Sequence, residues 1–432
     1  MRRIFNSRLV YTASLWLLLP YVFFHLLWRA RKQPEYLVHI PERFGFYAMR
    51  SNKPVIWLHT VSVGETRAVA SLVKQLREYY PDHQLLLTHT TPTGREASEQ
   101  LYGNDVLRVY LPYDYPFAVR RFLNHFRPRV GVLLETEIWF NLIHVCHTEN
   151  IPLLLLNARL SEKSAARYAR YPNLMRSGLR ELNTIAAQSI ADAGRLTTLG
   201  GKDVAVMGNL KFDIEPPPAM LELGRQLRCQ FGADRKIFLA ASTREGEEAL
   251  LLDALKALPV FGLLTVIVPR HPQRFAEVEA LLARYGFRFQ RRSDHRAIAP
   301  ETQVVLGDSM GEMFAYYAAC DIAFIGGSLL PFGGQNLIEA CAVGKPVLIG
   351  PHTYNFAQAS ELAVATGAAV RVQDTKELAQ TLQNLLSHPE QMSKIGNAGL
   401  AFVSANCGAT ERALFHISQS LAVISSKMTP HE

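Results

Sequence analysis

The sequence has 432 residues, of which 48% are hydrophobic and 19% are charged, a balance that excludes intrinsic disorder and fits a large α/β protein. Its formal net charge of +8 favours acidic partners, such as phosphate-bearing ligands or an anionic membrane surface. No nucleic-acid-binding signature and no CxxC pair occurs, so we expect no nucleic-acid partner and no zinc site, and the cysteines are predicted to be reduced thiols.

The first apolar segment runs from Leu9 to Trp28, 20 residues without an Asp, Glu, Lys or Arg. As a helix it would extend about 30 Å, the thickness of the hydrocarbon core of a bilayer. No small-x-small cleavage site follows it, so we predict an uncleaved N-terminal membrane anchor, spanning or interfacial, rather than a signal peptide. Basic residues flank both ends and leave its orientation undecided: Arg2, Arg3 and Arg8 before it, Arg29, Arg31 and Lys32 after it.

After the anchor, short apolar strands alternate with helical segments, which predicts parallel sheets with helices on both faces. The first series of strands is predicted at 55–58, 85–88, 106–111, 130–134, 152–156, 184–187 and 204–207. Three consecutive prolines at 216–218 then form a stiff connector, and further strands are predicted at 237–241, 264–268, 303–306, 322–325 and 346–349. We therefore predict two doubly wound Rossmann-like domains facing a cleft, with segments 1–32 (anchor), 33–214, 215–408 and 409–432 (C-terminal helix and tail).

Polar residues of the first domain follow its predicted strands, at the edge where the carboxyl ends of parallel strands meet. Glu65 lies on the turn from the first strand into a helix, a position that suits either a helix cap or a general base. Because a helix N-terminus favours the ionised carboxylate, we expect a low pKa for Glu65. The other groups at this edge are Thr90 to Gly94, Glu135, Glu137 and Asn157 to Arg159.

The strand ends of the second domain carry residues that suit an anionic ligand. Arg270 follows one strand and offers a guanidinium that can bind phosphate in a bidentate manner. Glycines precede predicted helices in segments 307–312 and 331–339, which suits a nucleotide phosphate. The sequence has no Walker motif, no dinucleotide fingerprint and no metal-ligand spacing, so we predict a reaction that needs no metal ion.

Taken together, these segments resemble the motifs of bacterial 3-deoxy-D-manno-octulosonic acid (Kdo) transferases of lipopolysaccharide assembly. The matching segments are 59–65, 134–137, 157–161, 208–213, 269–272, 308–312 and 336–339. The resemblance implies a GT-B glycosyltransferase of the inner membrane with its catalytic domains on the cytoplasmic face. It also implies CMP-Kdo as the donor substrate and a lipid A precursor in the membrane (lipid IVA) as the acceptor, with no further cofactor and no obligate protein partner.

The resemblance also implies roles for individual residues. Glu65 matches the catalytic base, and Glu135 and Lys211 match residues that stabilise the transition state of an inverting transfer. The positions implied for CMP are Pro269, Arg270, Met310, Gly311, Glu312, Asn336, Leu337, Ile338 and Glu339. Candidate cations for the acceptor are Arg95 and Arg159.

Two other interpretations stay open at this point. One is a different GT-B enzyme that uses a UDP-sugar, such as an epimerase or an N-acetylglucosaminyl transferase. The other is a membrane-anchored scaffold that binds a nucleotide without catalysing a reaction.

Overall fold

The computed structural model describes residues 7–31, 33–256 and 262–428 and divides the chain into two compact units. Unit 1 comprises Met1–Asp213 together with Cys407–Glu432, and unit 2 comprises Ile214–Asn406. Three of the basic residues predicted to flank the anchor, namely Arg2, Arg3 and Lys32, lie outside the described residues, as do 257–261 and the end of the predicted tail at 429–432.

Each unit contains a parallel seven-stranded sheet. Unit 1 contains β1 (Val55–His59), β2 (Gln84–His89), β3 (Leu107–Tyr110), β4 (Pro128–Leu134), β5 (Leu153–Ala158), β6 (Thr184–Ala187) and β7 (Ala205–Val206), in the order β3-β2-β1-β4-β5-β6-β7. Unit 2 contains β8 (Ile237–Thr243), β9 (Leu264–Pro269), β10 (Phe289–Arg291), β11 (Val304–Leu306), β12 (Ile322–Ile325), β13 (Val347–Ile349) and β14 (Ala369–Arg371), in the order β10-β11-β9-β8-β12-β13-β14. Every strand predicted from the sequence is present, and the doubly wound α/β class is confirmed. The two edge strands β10 and β14 were not predicted.

Helices connect the strands and cover both faces of each sheet. Those of unit 1 are α1 (Arg8–Ala30), α2 (Val63–Ala68), α3 (Ala70–Tyr79), α4 (Pro92–Tyr102), α5 (Pro116–Phe126), α6 (Phe140–Thr148), α7 (Glu162–Tyr168), α8 (Pro172–Glu181) and α9 (Ile190–Thr198). Those that follow are α10 (Pro218–Phe231), α11 (Glu247–Lys256), α12 (Phe275–Tyr285), α13 (Met313–Ala319), α14 (Ile338–Ala342), α15 (Ala357–Ala365), α16 (Thr375–Ser387), α17 (Pro389–Asn406) and α18 (Ala409–Met428).

The central strand β1 shows why the sheets are buried. Successive side chains of a strand point to opposite faces, so Val55 and Trp57 enter one hydrophobic cluster of unit 1 while Ile56 and Leu58 enter the other. All five residues of β1 are buried. A strand covered by helices on both faces is continuously apolar, as residues 55–58 of β1 are.

The last helix, α18, belongs to unit 1 although the chain reaches it after unit 2. Its residues Ala413 and Ile417 are fully buried in the same cluster as Ile56. The hydroxyl of Tyr80 donates a hydrogen bond to Ser418 Oγ at 2.8 Å. The sequence predicted this helix but not the sheet on which it packs.

The beginning of α1 is attached to unit 1 by polar contacts. Tyr11 donates from its hydroxyl to Asp114 Oδ2 at 2.8 Å, and the Thr12 hydroxyl donates to Asn141 Oδ1 at 2.8 Å. Asp114 also accepts the main-chain N–H groups of Asn141 at 3.0 Å and Leu142 at 2.7 Å. Burial raises the pKa of Asp114 to about 7, although these hydrogen bonds oppose the shift.

Beyond this attachment, the apolar side chains of α1 face outward. Leu17, Phe24 and Trp28 are exposed, as are most of the large residues between them. Among the described residues, α1 alone is long and apolar enough to cross a bilayer, which is weak evidence for the predicted anchor.

Candidate functional site

The turn that joins β1 to α2 carries Glu65. Ser62 caps the helix, and its hydroxyl oxygen accepts the main-chain N–H of Glu65 at 3.3 Å. In return the Glu65 carboxylate accepts the N–H of Val61 at 2.8 Å and the hydroxyl of Ser62 at 2.9 Å, one hydrogen bond on each oxygen. Ser62 and Glu65 have the spacing of a capping box, but the main-chain N–H that Glu65 accepts is that of Val61, one residue before the cap. Because a carboxylate oxygen has two lone pairs, capping leaves each oxygen able to accept a further hydrogen bond.

The pKa of Glu65 is raised, so the low value expected from its helical position is wrong. Burial is the main cause, since Glu65 is only 9% exposed, and the negative charges of Glu135 and Glu137 add to it. The hydrogen bonds from Val61 and Ser62 lower the pKa of Glu65 but do not cancel the rise caused by burial and the neighbouring acids. Desolvation thus outweighs the field at the start of a helix of six residues. A carboxylate with a raised pKa is a stronger base when it is ionised.

Glu135 and Lys211, 76 positions apart in the chain, meet in an ion pair of 3.2 Å. Glu135 directly follows β4, the strand beside β1, and has a left-handed backbone with φ of 56°. Lys211 lies in a short 3-10 helix that is capped by the side chain of Asn209. The structure therefore brings together the two residues predicted to stabilise the transition state. It places them in the same unit as Glu65, whose pKa responds to Glu135.

Glu137 lies at the same edge and has partners that sequence reasoning missed. Its Oε2 accepts the indole N–H of Trp139 at 2.7 Å and lies 3.8 Å from His59 Nε2. His59 is the last residue of β1 and is fully buried, with its Nδ1 at 2.8 Å from Thr88 Oγ1. The predicted motif 59–65 includes His59, but sequence analysis gave this residue no role.

The two predicted acceptor cations have different surroundings. Arg95 lies in the first turn of α4 and forms an ion pair of 2.7 Å with Glu42, a partner that was not predicted. Arg159 directly follows β5 and is half-buried, and no hydrogen bond or ion pair of its side chain is found within the described part of the chain. Their roles in acceptor binding stay predictions.

In unit 2, two adjacent acids hold three strand-end loops together. Glu247 accepts the N–H of Gly327 at 2.5 Å and that of Leu329 at 3.0 Å, which fixes the loop after β12. Glu248 forms a bidentate ion pair with Arg274 at 2.6 and 3.0 Å, and both residues are buried. This pair joins the loop after β8 to the loop after β9, which carries Arg270. Sequence analysis did not identify these residues.

Several of the positions predicted for CMP lie around the buried Tyr317. Burial and the charge of Glu339 raise the pKa of Tyr317, whereas Arg270 acts in the opposite direction, so both side chains act on the same residue. Asn336 donates from its amide to Glu339 at 3.1 Å. Pro269 is the last residue of β9, next to Arg270. Leu337 and Ile338 are only 1% and 0% exposed, so the structure leaves neither residue accessible to a ligand, and the N–H of Ile338 already donates to Asn336 Oδ1 at 3.1 Å.

The remaining predicted CMP positions form the loop between β11 and α13. Met310 is 52% exposed, and Gly311 has a left-handed backbone with φ of +81° and open space at its Cβ position. Glu312 accepts the hydroxyl of Ser309 at 2.7 Å and forms an ion pair of 3.4 Å with Arg292. No group of three or more His, Cys, Asp or Glu that could hold a metal ion occurs in the part of the chain that the structure describes.

Two Rossmann-like units with polar groups at the carboxyl ends of their strands define a glycosyltransferase fold of the GT-B class. A glycosyltransferase from Rickettsia africae is 18% identical, with a TM-score of 0.58, and the match covers 86% of this chain and 99% of that chain. The UDP-GlcNAc 2-epimerase of Neisseria meningitidis is 17% identical, with a TM-score of 0.57, over 85% of this chain and 100% of that chain. At these identities the likeness shows the fold alone.

Sequence comparisons give the family. The family described as 3-deoxy-D-manno-octulosonic-acid transferase matches residues 38–214, and glycosyl transferases group 1 matches residues 284–401. The 3-deoxy-D-manno-octulosonic acid transferase of Bordetella pertussis is 40% identical, over 94% of this chain and 98% of that protein. That of Haemophilus influenzae is 38% identical, over 94% of this chain and 97% of that protein. The chain therefore belongs to the Kdo transferase family of glycosyltransferases, as the sequence motifs predicted.

Loss of the buried guanidinium of Arg274 should destabilise unit 2. Arg274→Met leaves Glu248 buried and unpaired, which should lower the free energy of unfolding of unit 2 by about 3–5 kcal/mol. Denaturant titration of the intact protein in detergent measures the change. Arg225→Met is the control, because Arg225 pairs with Glu222 on the surface of the same unit, and its midpoint should not move. Equal shifts in the two variants would contradict the proposed importance of the buried pair.

Removal of the charge of Glu135 should change the pH dependence of the enzyme. Glu135 raises the pKa of Glu65, so Glu135→Gln should lower that pKa and leave Glu65 ionised at lower pH. The acidic limb of the pH profile of kcat/KM should then move to lower pH, whatever the absolute rate. Glu162→Gln removes an exposed carboxylate of the same unit and serves as the control. A limb that stays in place or moves to higher pH would disprove the assignment of this limb to Glu65.

Proposed function

We propose that this enzyme transfers Kdo from CMP-Kdo to a lipid A precursor, lipid IVA, in lipopolysaccharide biosynthesis. The observation that carries the proposal is the group formed by Glu65, Glu135 and Lys211 at one edge of the first sheet, in a chain of the Kdo transferase family. A base beside a paired cation and anion suits glycosyl transfer to a hydroxyl group.

Glu65 is the proposed base. A sugar hydroxyl is a poor nucleophile, so a carboxylate must take its proton as the hydroxyl attacks. Burial and the neighbouring acids raise the pKa of Glu65, which strengthens it for this task. One base and no enzyme nucleophile give a single displacement, with inversion at the anomeric carbon and an oxocarbenium-like transition state.

Cations are proposed to stabilise the charge that develops in the transition state. Negative charge grows on the CMP phosphate as its bond to Kdo breaks, and Lys211 and Arg270 are the proposed donors that stabilise it. Glu135 holds Lys211 in place through their 3.2 Å contact. The loss of one such donor typically lowers the rate about 100- to 1000-fold. We propose that the reaction uses neither a metal ion nor another cofactor.

CMP is assigned to unit 2. Arg270 offers the phosphate-binding guanidinium, and Asn336 and Glu339 offer hydrogen-bonding groups for the ribose or the base. Glu247 and the Glu248–Arg274 pair support this assignment, because they fix the loops on which the CMP-binding residues lie.

The enzyme is proposed to lie at the cytoplasmic face of the inner membrane, held by α1. The exposed apolar part of α1, Leu17 to Trp28, is about 18 Å long as a helix, shorter than the roughly 30 Å of a bilayer core. The preceding residues Tyr11 and Thr12 are bonded to unit 1 and stay with it. This geometry favours a helix that enters one leaflet over a helix that crosses both. The basic balance of the chain suits the anionic surface.

A transfer assay tests the proposed reaction. The purified enzyme should transfer Kdo from CMP-Kdo to a tetraacylated lipid A precursor in the presence of EDTA, with product mass giving the number of additions. Glu65→Gln should reduce the rate at least 100-fold with an unchanged melting temperature, because a neutral amide cannot accept the proton. Glu162→Gln should have wild-type activity. Activity with UDP-sugars alone would favour the other GT-B function, and full function of Glu65→Gln in cells would favour the scaffold.

Labelling from outside the cell tests the membrane geometry. Ser7→Cys places a thiol at the start of α1, in a protein whose exposed Cys229 and Cys407 are replaced by Ser. A membrane-impermeant maleimide should label it only after spheroplasts are lysed, because a helix in one leaflet leaves both ends on the cytoplasmic side. Gln100→Cys on unit 1 is the control for lysis. Labelling of Ser7→Cys in intact spheroplasts would show that α1 spans the bilayer.

A further inference from the structure

Arg43 is a buried cation that the proposed mechanism does not use. It lies in the 3-10 helix Ile40–Phe44 and is 4% exposed. Its Nη1 donates to the carbonyl oxygen of Thr90 at 3.2 Å, and the guanidinium also reaches the Tyr113 side chain, where its charge and a hydrogen bond partly offset the rise that burial causes in the pKa of Tyr113. The Nε and Nη2 of Arg43 are buried, and no well-aligned hydrogen bond from either atom is found among the described residues. No carboxylate lies within 4.0 Å of its nitrogens in the same part of the chain. A buried charge without a counter-charge is costly, so an anion that pairs with it would bind favourably.

The surroundings of Arg43 contain more positive than negative charge. Arg43 and Arg95 both lie over the ring of Tyr110, with their guanidinium carbons at 4.1 and 5.1 Å from its centroid. Glu42, the acid beside them, already accepts from Arg95 at 2.7 Å and from the N–H of Tyr110 at 2.7 Å. One carboxylate therefore lies near two guanidinium groups, and it forms its ion pair with Arg95 rather than with Arg43.

Arg43 also lies at the edge of the sheet that carries the proposed base. Its partner Thr90 directly follows β2, and the next residue, Thr91, donates from its hydroxyl to the carbonyl oxygen of Val61 at 3.0 Å. The N–H of Val61 in turn binds Glu65 at 2.8 Å. A continuous series of hydrogen-bonded residues thus connects Arg43 to the turn that holds the base.

We propose that Arg43 binds a phosphate monoester of the lipid acceptor. Its Nε and Nη2 form one side of the planar guanidinium, and this pair matches two oxygens of a phosphate. The proposal rests on the proposed function, because it assumes an acceptor that carries phosphate groups. It assigns to Arg43 the recognition of the acceptor, separate from proton transfer by Glu65.

The test compares the bisphosphorylated lipid A precursor with the two lipids that each lack one of its phosphates, on the full-length enzyme in detergent micelles. For the wild type, removal of the contacted phosphate should raise the acceptor KM about 10- to 100-fold, the usual worth of a charged hydrogen-bonded contact, with little change in the donor KM. This comparison needs no variant and is informative even if Arg43 variants fail to fold.

The variants then assign the contact to Arg43. Arg43→Gln should raise the acceptor KM by the same factor for the bisphosphorylated lipid and should have no effect for the lipid that lacks the contacted phosphate. Arg43→Lys keeps the charge without the planar pair of donors and should give an intermediate value. Arg77→Gln is the control, since Arg77 pairs with Asp105 on the surface of the same unit. Melting temperatures identify variants that are misfolded.

Each other result overturns the proposal. Equal effects of Arg43→Gln on all three acceptors would show a structural role. A change in the donor KM would place the CMP phosphate there, and a loss that anionic phospholipid restores would indicate a membrane headgroup. If the wild type transfers no Kdo to any of these lipids, the proposed function itself fails. That outcome is distinct from transfer that is insensitive to phosphate removal, which refutes the role of Arg43 alone.

Discussion

The hydrogen bond between the main-chain N–H of Val61 and the carboxylate of Glu65 is the interaction on which the first unit's site depends. The turn follows β1, a central strand, and leads into α2, whose first N–H groups have no partners within the helix and need them from the turn and from side chains. The carboxylate of Glu65 accepts the N–H of Val61 in this turn and is thereby held in place. The neighbouring strands β2 and β4 bring Thr90 and Glu135 to the same edge. The hydrogen bond from Val61 thus orients the proposed base, Glu65, at the edge of the sheet where Thr90 and Glu135 also lie.

In both units, buried acids hold loops in place by accepting hydrogen bonds from main-chain N–H groups. Asp114 accepts main-chain N–H groups at the start of α6, and Asp192 accepts the N–H of Leu160 at 2.9 Å after β5. Glu247 does so after β12 in unit 2. Ordered loops need less reorganisation when substrate binds, and preorganised polar groups are the main source of electrostatic catalysis. The acids that bind the main chain therefore contribute to the site by holding its loops in place.

Most of the fold was predictable from the sequence, because buried parallel strands are continuously apolar and helices are amphipathic. The edge strands β10 and β14 escaped prediction because they are only partly buried and each ends in an arginine, so they lack the continuously apolar run of the equally short β11 and β13. The site was predictable in residue type and in part in position, as the Glu135–Lys211 pair shows. What the sequence could not give was the balance of opposing effects. The pKa of Glu65 depends on burial and on two acids that are distant in sequence. Arg43 lacks a counter-charge because Glu42 forms its ion pair with Arg95.

The return of α18 to unit 1 has a consequence for how the protein is made. Ala409, Ala413 and Ile417 fill the core beside β1, yet they leave the ribosome after the whole of unit 2. The earlier part of unit 1 must wait for this helix while unit 2 completes its own core. During translation the nascent chain therefore exposes apolar surface of unit 1 until α18 has been made. The second unit in sequence is the first that can finish folding.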